Sequence, residues 1–94
     1  MRLYHSTPAK NAASIMQMGL LRSFAMTRHC YIWLHRWGHR AWAKKHAGKR
    51  HGVDERDMVV LRLKVAERCV CEMTEGFWVC REDIPPDQIE LVTD

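Results

Sequence analysis

The chain has 94 residues, 47% of them hydrophobic and 28% charged, the balance of a folded domain and not of a collagen, a coiled coil or a disordered tail. At 11.1 kDa there is room for one domain, 1–94, burying roughly two-thirds or less of its unfolded surface. No apolar run approaches the roughly 20 residues of a membrane-spanning helix, and Met1-Arg2-Leu3-Tyr4-His5 lacks the apolar core of a signal peptide, so a cytoplasmic protein without a membrane partner is expected.

Cys30, Cys69, Cys71 and Cys80 are then expected as thiols. The net charge of +4 conceals a division: Met1 to Val53 holds ten Lys and Arg and no Asp or Glu, while Asp54 to Asp94 holds five against eleven. An acid-free half points to an anionic partner, a nucleic acid or a nucleotide, or else to the acidic half of the same fold. Any catalytic carboxylate has to come from the second half.

In chain order, Leu3-Tyr4-His5 reads as a short strand. Ser6 or Thr7 is expected to cap a helix with Pro8 in its first turn, Ala12, Ile15 and Met16 as its apolar stripe and Gly19 as its C-cap. Cys30 to Leu34 is β-branched and aromatic, a second strand, and runs into a helix from His35 to Gly48. Gly48 to Asp57 is polar and reads as a loop, Met58 to Val65 as a strand, and Phe77 to Cys80 as another. The turn Ile84-Pro85-Pro86-Asp87 leads to a last strand, Ile89 to Val92. Helices in the N-terminal half and strands mostly after them predict an α+β domain with a small split β-sheet.

One constellation stands at the first strand: Tyr4-His5-Ser6-Thr7-Pro8 delivers a histidine and two hydroxyls into a turn at a helix start, a place for an anion or a carboxamide. A lone histidine there also suits a structural hydrogen bond.

The order of these segments resembles the ADP-ribosyltransferase-fold superfamily, most closely the catalytic lobe of its RNA 2'-phosphotransferase branch. The residues that carry it are Leu3-Tyr4-His5-Ser6-Thr7 with Ser14-Ile15-Met16-Gln17-Met18-Gly19-Leu20, then Arg28 to Leu34, Met58 to Leu63, and Gly76-Phe77-Trp78-Val79-Cys80 followed by Ile84-Pro85-Pro86-Asp87-Gln88-Ile89. The resemblance implies a compact split β-sheet of that type, NAD as cofactor, and ADP-ribose transfer to a protein or nucleic acid acceptor. It implies His5 as the residue bonding the ribose, Ser6 and Thr7 beside the nicotinamide amide, Tyr31 as the stacking aromatic, and Arg22 and Arg28 as counter-charge for the pyrophosphate. Ser6 stands where the family has Gly, and Tyr31 where this branch tends to use His. Where mono-ADP-ribosylating members place a Glu the chain has Phe77, with Glu75 two residues earlier on the same strand face as the candidate catalytic carboxylate beside His5 and Tyr31.

A separate reading rests on Arg36, Arg40, Lys44, Lys45, Lys49 and Arg50, interleaved with Trp33, Trp37 and Trp42, the composition of a face that meets phosphates and stacks bases. Arg36, Arg40 and Lys44 recur every four residues and are expected on one helix face, with Trp33 and Trp37 packed in the core. The chain would then be a non-catalytic module that binds nucleic acid or a nucleoprotein, a small inhibitor or regulator. His35 and His39, four apart, suit a basic surface helix; with no CxxC or HExxH beside them no metal is expected.

Overall fold

The computed structural model describes residues 1–24 and 31–92; Arg28 and Cys30 lie outside them. The chain runs β1 (Arg2–Pro8), α1 (Ala9–Met18), β2 (Ile32–His35), α2 (Arg40–His51), β3 (Met58–Lys64), β4 (Val70–Thr74), β5 (Phe77–Cys80) and β6 (Ile89–Val92), with short 3-10 turns between. The six strands form one antiparallel sheet in the order β4-β5-β2-β1-β3-β6, so the α+β class and the two early helices hold. No helix among the described residues is long and apolar enough to cross a membrane.

β1 is longer than its sequence suggests. Ser6, Thr7 and Pro8 continue the strand, opposite Val60, Val59 and Met58 of β3. The expected hydroxyl cap therefore does not form: α1 starts straight after Pro8 with no side-chain cap, because Ser6 and Thr7 are held in register with β3 and the Ser6 hydroxyl is engaged by His35. α1 does close on Gly19, whose N–H reaches the Ile15 carbonyl at 2.7 Å. Ile15 packs against the core while Met16 stays exposed. Leu20 and Ile84 then exchange backbone hydrogen bonds, each 2.9 Å, anchoring the end of α1 to the proline turn.

The second helix is displaced from its expected position. His35 ends β2 instead of opening a helix, Arg36 is extended, Trp37–His39 makes a single 3-10 turn, and α2 then runs from Arg40 through Gly48 to His51. Gly48 lies within the helix at a place where only a hydrogen fits: a Cβ would come within 2.7 Å of the Val53 carbonyl. β4 has no expected counterpart. It is an edge strand whose Cys71, Glu72, Met73 and Thr74 are all exposed, so burial imprints no apolar alternation on it.

β3 is buried on both faces. Leu61 and Leu63 join Leu3, Ile32, Leu34, Cys80, Ile84 and Ile89 in the main core, with Ile15 of α1 packed against it. Met58 and Val60, on the alternate face, are 4% and 2% exposed and lie under α2, the Met58 side chain reaching Gly48. The strand thus reads as an almost unbroken apolar run.

The sheet is one piece, with its weakest seam at the centre. β1 pairs with β3 along its whole length, from Arg2↔Lys64 to Pro8↔Met58, yet meets β2 in register only at Tyr4↔His35.

Candidate functional site

Past that single rung, side chains do the joining. His5 Nδ1 lies 2.8 Å from the Trp33 carbonyl, and Ser6 Oγ lies 2.8 Å from His35 Nε2. A cavity of about 690 Å3 is lined by His5 to Thr7 of β1, by Tyr31 to His35, by Asn11, Ser14, Ile15 and Met18 of α1, and by Trp42, His46 and Arg50 of α2. Thr74 and Phe77, at the ends of β4 and β5, also line it. The seam between β1 and β2 is therefore where the molecule opens.

The hydrogen bonds fix the tautomers. A carbonyl only accepts, so the proton of neutral His5 sits on Nδ1 and Nε2 is left as an acceptor. Burial against the seam lowers His5 to about 4, outweighing the Trp33 bond, which acts the other way; the ring is neutral at pH 7. Although part of its surface is reachable from the cavity, protein surrounds it on most sides, and that is what desolvates the charged form. His35 donates from Nδ1 to the Arg36 carbonyl at 2.9 Å, so its Nε2 accepts the Ser6 hydroxyl. Burial lowers His35 as well.

The structure brings together His5, Ser6, Thr7 and Tyr31 in one lining. Arg81 stands 5.6 Å from the centre of the half-buried Tyr31 ring. Glu75 is not in a strand: it is exposed in the turn between β4 and β5, so the shared strand face with Phe77 does not exist, though its neighbours Thr74 and Phe77 line the cavity. Arg22 is not in the lining; its backbone N–H bonds Asp83 at 2.7 Å. Arg28 lies outside the described residues.

Of Arg36, Arg40 and Lys44, expected on one helix face, only Arg40 and Lys44 belong to α2. Arg36 precedes α2 and stands 5.7 Å from the Trp78 ring, while Arg40 covers Trp37 at 4.1 Å. Lys44 lies in a second depression with Arg40, Glu55 and Arg56, Lys45 and Lys49 are exposed, and Arg50 turns to the main cavity. Trp33 is 40% exposed in place of its expected core position, and Trp42 is 51% exposed, its ring stacked on His46 at 3.7 Å. Trp37 is half-buried against Tyr4, 5.2 Å away.

Sequence reasoning missed His35, read as a surface helix residue and found 3% exposed at the end of β2. It also missed the cavity face of α2. The four-residue spacing of Trp42, His46 and Arg50 is the signal that finds that face.

No family model matches the sequence, and no curated protein matches it either.

Proposed function

We propose that the cavity binds a nicotinamide dinucleotide and that the chain is an ADP-ribosyltransferase-like domain. One observation carries this reading: His5, in the middle of β1, and Tyr31, just before β2, line the same cavity with Ser6 and Thr7. Its volume falls in the roughly 300–1,000 Å3 range of small-molecule sites.

The lining suits the ligand's parts. His5 Nε2 is an acceptor for a ribose hydroxyl, the Tyr31 ring is a surface for a flat nicotinamide, and the Thr7 hydroxyl and Asn11 carboxamide suit its amide. Arg50 is the only formal charge among the described lining residues, so the pyrophosphate meets a cation and no carboxylate. Bound there, the dinucleotide would supply an activated ADP-ribosyl group for a protein or nucleic acid acceptor. His5 holds and orients, and being neutral it adds no charge that repels a developing cation. Glu75, on the adjacent turn, is the candidate carboxylate.

The test is incubation with NAD, following free nicotinamide and the melting temperature. NAD should raise the melting temperature, and His5→Ala and Tyr31→Ala should each abolish the rise and any nicotinamide release. Neither release nor a shift in the wild-type protein removes this reading.

A second reading is favoured by α2, which carries Arg40, Lys44, Lys45, Lys49 and Arg50 without an acid and exposes Trp42: a non-catalytic nucleic-acid- or nucleoprotein-binding module, a small inhibitor or regulator on the same scaffold. Oligonucleotide binding that falls steeply between about 50 and 200 mM salt supports it. No binding at low salt removes it.

A further inference from the structure

The dinucleotide reading uses the surroundings of Ser6 but leaves its hydroxyl and His35 without a task. Their geometry is that of an activated nucleophile. Ser6 Oγ is 2.8 Å from His35 Nε2, and His35 Nδ1 is held at 2.9 Å by the Arg36 carbonyl, which fixes the tautomer with its bare nitrogen toward the serine. The ring is further held by Tyr4, stacked at 6.3 Å and 27°. Ser6 is 5% and His35 3% exposed, yet both belong to the cavity lining, so the little surface they keep faces a space able to hold a ligand.

We propose that Ser6 and His35 are a nucleophile and general base that give this cavity acyl-transfer reactivity toward activated carboxylic esters with an apolar acyl group. The apolar preference comes from Ile15, Met18, Leu21 and Phe77 in the same lining. Ser6 Oγ forms a bond to the ester carbonyl carbon while its proton passes to His35 Nε2. The ester C–O bond breaks, and the leaving alcohol takes that proton. Water then attacks the acyl-serine, giving its proton through His35 to Ser6 Oγ and releasing the acid. This chemistry does not depend on the dinucleotide reading.

The same hydrogen bond also ties β1 to β2, so the experiment has to separate reactivity from bracing. The full chain is incubated with diisopropyl fluorophosphate, which forms a serine O–P bond with loss of fluoride, and the adduct is counted by intact mass and located by peptide mapping. One adduct per chain at Ser6 is expected, with a burst of one 4-nitrophenolate per chain from 4-nitrophenyl butyrate. Ser6→Ala removes both. His35→Gln keeps a hydrogen-bonding partner for Ser6 but no base, and should slow labelling at least about a hundredfold. No adduct on wild-type Ser6, an adduct only on another residue, or Ser6 labelling at an unchanged rate in His35→Gln overturns the proposal. The wild-type mapping stands whatever the stability of the variants.

Discussion

The imidazole of His5 donates through Nδ1 to the carbonyl of Trp33, 2.8 Å away, and so replaces a backbone rung where β1 and β2 stop pairing. The histidine is at once a brace of the sheet and part of the cavity lining. Loss of the brace leaves a carbonyl without its donor. His5→Ala is therefore expected to destabilise the fold by about 1–3 kcal/mol, read from the urea midpoint, and an unchanged midpoint would show that the bond is not formed in solution.

The seam makes stability depend on pH in a defined direction. Unfolded histidine titrates near 6.5 and folded His5 at about 4, so between those values the unfolded chain binds more protons. Stability is therefore full above about pH 6.5 and falls as the pH drops toward 4. His35 and His51 are lowered by burial too and act in the same sense. At about 1.4 kcal/mol per unit, His5 contributes up to about 3 kcal/mol. Urea titrations from pH 7.5 to 4 should show this loss, and His5→Gln should flatten part of it. A slope identical in the variant would contradict the assignment.

Leu61 is fully buried at the centre of β3, opposite His5 on β1 and Leu91 on β6. Truncation to Ala removes three carbons from a site braced by strands on both sides, which leaves little room for collapse. A loss of about 2–5 kcal/mol is expected, a large share of the stability of so small a domain. A loss under about 1 kcal/mol in denaturant titration would argue against this packing.

Much of this fold is written in the sequence. Strands β3, β5 and β6 are legible because apolar alternation and flanking prolines or glycines impose their limits, and α1 ends where Gly19 says it should. The length of β1 is hidden, because Ser6-Thr7-Pro8 carries helix-start residues whose local preference yields to seven paired positions along β3. Edge strand β4 is hidden because solvent on its exposed residues removes the pattern. At the site, His5 and Tyr31 are legible as chemistry-bearing residues. The Ser6 to His35 contact is not, since it depends on how far two strands diverge, a property of tertiary packing that no spacing encodes.

Gly76 closes the hairpin between β4 and β5 at φ 84, and the His39 ring occupies the place where a Cβ would go. Gly76→Ala meets both a left-handed backbone and a ring also held edge-on against Phe77 at 4.9 Å. A destabilisation of about 1–3 kcal/mol is expected, read as a lower melting temperature. A variant as stable as wild type would mean that His39 is free to leave the turn.

The most direct test of the central claim is a crystal structure of the protein with NAD. The nicotinamide ring is expected against Tyr31, with a ribose hydroxyl in hydrogen-bond reach of His5 Nε2 and the pyrophosphate toward Arg50. A dinucleotide bound away from the β1–β2 seam, or a cavity left empty at saturating NAD, would contradict it.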